Sequence, residues 1–81
     1  MAVKVLLFAA MAERAGVRSV HVGHVAGDTV ADIRARVLAE RPALAEFVPT
    51  LLYALNEEYA REGDPVPDGA TVAFIPPVSG G

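Results

Sequence analysis

The chain has 81 residues, which suits a single domain, and its 53% hydrophobic and 21% charged residues are typical of a compact globular protein rather than a disordered one. The net charge of −3, with its few basic residues scattered along the chain, disfavours nucleic acid as a ligand, because phosphate binding needs a basic surface. The absence of cysteine excludes disulfides, thiolate metal sites and thiol nucleophiles.

The first part of the chain predicts two strands separated by a short helix. Residues 3–8, VKVLLF, form an apolar run of strand length, as expected for a strand buried on both faces. Residues 9–15 are rich in alanine and precede Gly16, which suits a helix C-cap. Residues 19–25 alternate apolar and polar side chains, but the alternation shifts by one position at Gly23, which predicts an edge strand with a bulge.

A helix over residues 29–40 is the clearest predicted element. Thr29 followed by Asp32 resembles a capping box, and Pro42 ends the helix. The apolar stripe at helical spacing consists of Val30, Ile33, Val37 and Leu38. The side chains expected to face outward are Asp32, Arg34, Arg36 and Glu40. Residues 44–47 predict one further helical turn.

The second part of the chain predicts three strands. Residues 51–55 are strongly apolar, and residues 56–58 supply turn chemistry before a short segment at residues 59–60. Residues 61–69 contain prolines and glycines and predict a loop. Residues 71–75 alternate again and form the last strand.

This order of elements predicts an α+β fold in which one main helix covers a mixed sheet. The first and last strands are apolar on both faces and are therefore expected to be central neighbours, with parallel pairing allowed by the long connection between them. We expect the β-grasp fold of ubiquitin over residues 1–75. Residues 76–81 are expected to leave it as an extended tail, because proline fixes its own backbone and restricts the preceding residue.

Side chains suited to catalysis are few. His21 and His24 are three positions apart in a predicted strand, so they point to opposite faces and cannot share a metal ion. Glu57 and Glu58 lie in a turn where no apolar pocket is implied. No serine or threonine has the histidine and aspartate context of an activated hydroxyl, and no glycine-rich nucleotide-binding loop occurs. We therefore expect no independent enzymatic activity, no metal and no cofactor bound by this chain.

The carboxylate of Gly81 is the best candidate for chemistry. Gly80 and Gly81 follow a stiff apolar run and, lacking side chains, fit a slot too narrow for any other residue. A carboxylate donates its acyl group only after activation, usually as an acyl-adenylate, and the chain has no motif for using ATP itself. A partner enzyme must therefore supply the activation. The competing interpretations are a frayed terminus and a cloning remnant.

The ending VAFIPPVSGG, residues 72–81, resembles the MoaD family, the small sulfur carrier subunits of molybdopterin synthase, and so do the segments VKVLLFA, TVADIRARV and ALNEEYA. The resemblance implies a ubiquitin-like β-grasp fold. It also implies that a MoeB-type, E1-like enzyme uses ATP to adenylate Gly81, and that a sulfur donor protein supplies the sulfur of a thiocarboxylate. The tail that a MoaE-type large subunit would accept comprises Pro76, Pro77, Val78, Ser79 and Gly80. Sulfur would then pass to the pterin precursor of the molybdenum cofactor.

The same resemblance implies a complex with two copies of each subunit, held by an apolar patch. The corresponding positions here are Phe8, Tyr59 and Ile75. Phe8 has an equally good interpretation as a core residue. Tyr59 follows a turn, and Ile75 has the opposite parity to Phe74, so both are expected on the surface.

Two alternative functions stay open at this point. One is a related carrier for thiazole synthesis, as in the ThiS family, or for tRNA thiolation, including a ubiquitin-like modifier attached to lysines. The other is a β-grasp interaction module without covalent chemistry. No apolar run approaches the ~18 residues of a membrane span, and the first residues lack the pattern of a signal peptide, so we expect a cytoplasmic protein without membrane contact.

Overall fold

The computed structural model of the protein describes residues 1–77. Its strands are β1 (Ala2–Leu7), β2 (Ser19–Gly23), β3 (Leu52–Leu55), β4 (Glu58–Ala60) and β5 (Thr71–Ile75). Its α-helices are α1 (Ala9–Ala15) and α2 (Val30–Glu40), and a 3₁₀ segment (Pro42–Thr50) follows α2. The order of elements is the predicted one.

The five strands form one mixed sheet in the order β2-β1-β5-β3-β4. β1 and β5 lie side by side at its centre and are parallel, whereas the other neighbouring pairs are antiparallel. The prediction that the first and last strands are central, parallel neighbours is therefore confirmed.

The core lies between one face of the sheet and the helices. The largest fully buried side chains are Phe74, Met11, Ile33, Leu44, Val3, Val5, Val30, Val37 and Val72. The rings of Tyr53 and Phe74 meet edge to face, with centroids 5.6 Å apart and an interplanar angle of 81°. This geometry suits the quadrupoles of two aromatic rings. Because Tyr53 and Phe74 are paired in the β3–β5 register, the ring contact also joins these two strands.

The N-terminus of α2 is closed by a capping box, as the sequence predicts. Thr29 N–H donates to Asp32 Oδ2 at 2.9 Å, and Asp32 N–H donates to Thr29 Oγ1 at 3.3 Å. The backbone N–H groups of Val30 and Ala31, the first two residues of α2, donate to the carbonyls of Asp64 and Glu62 at 3.0 and 2.9 Å, respectively. The loop before β5 thus satisfies helix donors that would otherwise lack partners, which fixes that loop against the helix.

Asp28 is the one buried charged residue in the described part of the chain. Arg36 donates to both of its carboxylate oxygens, the Nη2–Oδ1 distance being 2.9 Å, and Val25 N–H donates to Oδ2 at 2.8 Å. The hydrogen bond from Arg36, followed by that from Val25, lowers the pKa of Asp28 from 3.8 to about 2. This ion pair ties the loop that enters α2 to the second turn of the helix.

The structure corrects several predicted boundaries. β1 ends at Leu7, and Phe8 is the N-cap of α1 rather than the last strand residue. β2 ends at Gly23 without a bulge, because its five residues pair one to one with β1. Immediately after the strand, His24 Nε2 lies 2.6 Å from the Val66 carbonyl.

The helical turn predicted for residues 44–47 belongs to the longer 3₁₀ segment. The turn after β3 is confined to Asn56 and Glu57, whose positive φ angles of 49° and 72° suit a two-residue hairpin.

We predict that Ile33→Ala lowers the free energy of unfolding by about 2–5 kcal/mol, because a fully buried side chain leaves a cavity in the core. Leu38→Ala is the matched control, since Leu38 lies on the same helix but is only partly buried. Urea unfolding followed by circular dichroism measures both variants. Equal losses for the two would contradict the assignment of the core-facing stripe.

We predict that Asp28 contributes stability above about pH 4, which is lost as the pH falls towards 2, because its pKa is lower in the folded state than in the unfolded state. Asp28→Asn removes this contribution, so the variant loses less stability than the wild type between about pH 4 and pH 2. Urea unfolding across this pH range tests the prediction. Glu40→Gln, at an exposed position of α2, should reproduce the wild-type profile.

Candidate functional site

The sheet has a second face, the open face, which lies opposite the core. Val3, Val5 and Leu7 of β1 are buried in the core, so the alternate residues Lys4 and Leu6 project from the open face. The strand register extends this face across the sheet, because paired residues point to the same side. It therefore determines which residues from distant parts of the sequence lie together.

Three rows of side chains cross the open face. The register of the middle row joins Ser19, Leu6, Ala73, Ala54 and Tyr59. The row at the end of β5 pairs Ile75 with Leu52, and the β1–β5 register, continued by one residue, brings Phe8 beside Ile75. The row at the start of β5 is polar and contains His21, Lys4 and Thr71.

Two of these rows form one apolar surface. This surface, which we call the apolar face, comprises Leu6, Phe8, Leu52, Ala54, Tyr59, Ala73 and Ile75. Three of its largest members are well exposed, with Phe8 at 44%, Leu52 at 51% and Tyr59 at 82% of their full accessible area. A contiguous group of exposed large apolar residues marks an interaction surface rather than ordinary surface scatter.

The three predicted patch residues all lie on the apolar face. Phe8 is exposed and is not a core residue, Tyr59 is exposed, and Ile75 is half-buried. The sequence interpretation missed Leu6, Leu52 and Ala54. The alternation along each strand indicates which of its residues share a face of the sheet. Identifying the patch also requires the strand order, because Leu52 lies beside Ile75 only through the pairing of β3 with β5.

Phe8 is held on this face by an abrupt turn. The backbone passes from extended geometry at Phe8 directly to a positive φ of 50° at Ala9, the first residue of α1. This left-handed conformation costs a non-glycine residue about 1–2 kcal/mol, so the surrounding structure must hold it in place. A hollow beside the turn is lined by Leu6, Leu7, Phe8, Ala9, Ala12, Glu13 and Arg18. It borders the apolar face on the β1 side.

The chain leaves the sheet next to the apolar face. β5 ends at Ile75, after which Pro76 is buried and Pro77 is exposed. The predicted tail therefore keeps contact with the domain for one residue beyond the strand. The predictions for Val78, Ser79, Gly80 and Gly81 lie outside the described residues.

The other candidates from the sequence do not come together as a site. Glu57 and Glu58 are both exposed in the β3–β4 hairpin, and His24 contacts the Val66 carbonyl while His21 pairs with Lys4. Residues 1–77 contain no group of three or more histidine, aspartate or glutamate side chains able to hold a metal ion. Within the same residues, no helix is long and apolar enough to cross a bilayer.

Comparisons with known proteins agree on one kind of molecule. The model of the ThiS family matches residues 5–81. The molybdopterin synthase sulfur carrier subunit of Chlamydomonas reinhardtii is 42% identical over 83 aligned residues, with both chains fully covered.

Solved structures are similar over the whole chain as well. The crystal structure of SAMP1 from Haloferax volcanii has a TM-score of 0.92 and 32% identity, with full coverage of both chains. A chain in the complex of subunits 1 and 2 of molybdopterin-converting factor from Helicobacter pylori has a TM-score of 0.71 and 26% identity, again with full coverage. These ubiquitin-like relatives confirm the predicted β-grasp fold.

We predict that the exposed members of the apolar face contribute little to folding. Tyr59→Ser should change the free energy of unfolding by less than about 0.5 kcal/mol, because the side chain is mostly in water already. Phe74→Ala, which truncates the buried aromatic of β5, should cost about 3–5 kcal/mol. Denaturant unfolding of both variants compares them directly. A large loss in Tyr59→Ser would show that this residue supports the fold rather than an interface.

Proposed function

The chain belongs to the ThiS family and is a sulfur carrier of the molybdopterin synthase type, and we propose that it carries its sulfur as a thiocarboxylate on Gly81. The observation that best supports the proposal is the 42% identity to a molybdopterin synthase sulfur carrier subunit over the whole of both chains. The apolar face beside the end of β5 adds a docking surface next to the segment that leads to Gly81.

The proposed chemistry has three steps. The Gly81 carboxylate attacks the α-phosphorus of ATP, so that pyrophosphate leaves and an acyl-adenylate forms. A sulfide-level nucleophile from a sulfur donor then attacks the acyl carbon and expels AMP, which leaves a thiocarboxylate. Finally the thiocarboxylate sulfur bonds to a carbon of the pterin precursor and displaces an oxygen leaving group from that carbon, which gives a thioester between carrier and pterin. Water then hydrolyses the thioester, so the carrier leaves as a carboxylate and the sulfur stays on the pterin as a thiolate.

This chemistry fits a chain without cysteine. A thiocarboxylate is more acidic than a thiol, so it is a soft anionic nucleophile at neutral pH without any thiol side chain. Activation requires ATP, and we assign it to a separate E1-like enzyme of the MoeB type. We place the carrier in the cytoplasm because ATP is available there.

We propose that the apolar face binds a large subunit of the MoaE type, with two copies of each chain in the assembly. The likeness to a chain in a complex of two molybdopterin-converting factor subunits supports a partner of this kind. The tail, Pro76 to Gly81, would enter the active site of that partner, and the apolar face would hold the domain outside it. In this arrangement the domain supplies affinity and Gly81 supplies the chemistry.

A second candidate is a protein modifier, because SAMP1, described as a small archaeal modifier protein, has the TM-score of 0.92. A modifier shares the adenylation step but transfers the acyl group to a lysine amine. A carrier would yield sulfur transfer without conjugates, whereas a modifier would yield isopeptide conjugates that contain the Gly81 acyl group. Fragmentation mass spectrometry of tagged chain recovered from cells separates these products.

Intact mass spectrometry tests the proposed carrier state. After incubation with the E1-like enzyme, ATP and a sulfide donor, the chain should gain the mass difference of one oxygen replaced by sulfur, which fragmentation should localise to Gly81. A chain lacking Gly80 and Gly81 is the control and should gain nothing. A gain that persists in the shortened chain, or is missing from the full chain, would overturn the proposal.

We predict that Ile75→Asp weakens binding to the large subunit by about tenfold or more, because the interface would bury a charge without a partner. Val25→Asp is the matched control, since Val25 is 60% exposed but lies outside the apolar face. Calorimetric titration of both variants against the large subunit gives the comparison, and circular dichroism checks that both fold. Unchanged binding of Ile75→Asp would show that docking uses another surface.

A further inference from the structure

The edge strand β2 leaves part of its backbone without partners in the sheet. At one end of the β1–β2 ladder, Leu7 N–H donates to the Arg18 carbonyl at 2.8 Å, and at the other, His24 N–H donates to the Met1 carbonyl at 3.2 Å. Hydrogen-bonded pairs alternate along an antiparallel ladder, so Val20 and Val22 also bond inward to β1. The N–H and C=O groups of the intervening residues point away from the sheet.

The outward groups belong to Ser19, His21 and Gly23. One of them, the Gly23 carbonyl, accepts a hydrogen bond from Arg36 Nη1 at 3.1 Å. The described structure shows no comparable partner for the outward groups of His21. An edge of this kind is a template for an added strand.

The opposite edge, β4, is protected in a way that β2 is not. It has three residues, Glu58–Ala60, and only Tyr59 directs its backbone groups outward, because Leu55 and Glu58 close the hairpin. Beyond the strand, Arg61 N–H already donates to Asp64 Oδ2 at 2.9 Å. The two edges are therefore unequal, and β2 is the open one.

The surroundings of β2 are basic in a chain whose net charge is −3. His21 lies opposite Lys4 on the open face. Arg18, immediately before the strand, has the parity of Val20 and Val22 and lies on the other side of the sheet, beside Glu13 of α1. Salt bridges to carboxylates are formed by Arg14, Arg34 and Arg36. Within residues 1–77, neither Lys4 nor Arg18 forms one. Glu13 and Arg18 line one hollow on the surface, and Glu13 is the acidic residue among those that line it.

We propose that β2 binds an extended segment of a partner protein in which acidic and small apolar residues alternate. The alternation follows from the two sides of the strand. An added strand would place one set of side chains beside His21 and Lys4, where carboxylates are favoured, and the other set beside Val20 and Val22, where apolar groups are favoured. The backbone groups of Ser19 and His21 would supply the hydrogen bonds.

A second copy of this chain suits the edge less well. Antiparallel pairing of two β2 strands would place His21 of one copy near His21 of the other and would supply no carboxylate to Lys4 of either copy. The site also differs from the apolar face, so this inference does not depend on the sulfur chemistry. Both surfaces are open to different partners.

The test uses the full chain and two synthetic peptides, one alternating valine with glutamate and one alternating valine with lysine. Amide chemical shifts in NMR titration should move saturably at residues 19–23 with the glutamate peptide and not with the lysine peptide. His21→Pro removes both the imidazole and the outward N–H, whereas His21→Ala removes the imidazole alone, so His21→Pro should bind the glutamate peptide about tenfold more weakly than His21→Ala, as expected for a lost backbone hydrogen bond.

A charge reversal provides an independent variant if His21→Pro folds poorly. Lys4→Glu should reduce binding of the glutamate peptide and increase binding of the lysine peptide. The proposal is overturned by shifts confined to the apolar face, by equal binding of the two peptides, or by sedimentation showing that β2 pairs with a second copy instead.

Discussion

The parallel pairing of β1 with β5 is the constraint on which the rest of the structure depends. It joins the two ends of the described chain, so it closes a loop of almost the whole domain and needs strong burial to offset the entropy lost. That burial comes from the core side chains of both strands, including Val5 and Phe74. Because the strands are parallel, they end on the same side of the sheet. Phe8 and Ile75 are therefore neighbours, and the chain leaves β5 beside them.

In the proposed function, this arrangement separates docking from chemistry. The helices cover one face of the sheet, and the register gathers apolar side chains from β1, β3, β4 and β5 on the other. The exposed Tyr59 and Leu52 need not stabilise the fold, so they are available to a partner. The proposed reacting group at Gly81 belongs to the tail beyond Pro77. A partner can then hold the rigid domain by its apolar face while the tail reaches a separate active site.

Local patterns in the sequence predicted local structure well. The capping box of Thr29 and Asp32, and the Gly16 C-cap of α1, depend on residues a few positions apart and are confirmed. The contact of Leu52 with the row of Ile75 could not be read in the same way, because strand order and register decide it. Arg36 was expected to face solvent, but it pairs with Asp28, since the loop before α2 folds back along the helix. The composition of the apolar face therefore required three-dimensional pairing, although its position beside the tail followed from the last strand.

Competition between a shortened chain and the full chain for the large subunit tests the separation of docking from chemistry most directly. A chain lacking Gly80 and Gly81 would be titrated into a sulfur-transfer reaction between the thiocarboxylated full chain, its large subunit and the pterin precursor. The shortened chain should inhibit transfer with an inhibition constant close to the dissociation constant of the full chain, because it retains the apolar face but has no acyl group to donate. The contrary result is no inhibition by the shortened chain at a concentration at which the full chain would saturate the large subunit. That result would show that the two glycines are needed for docking, so docking and chemistry would not be separate.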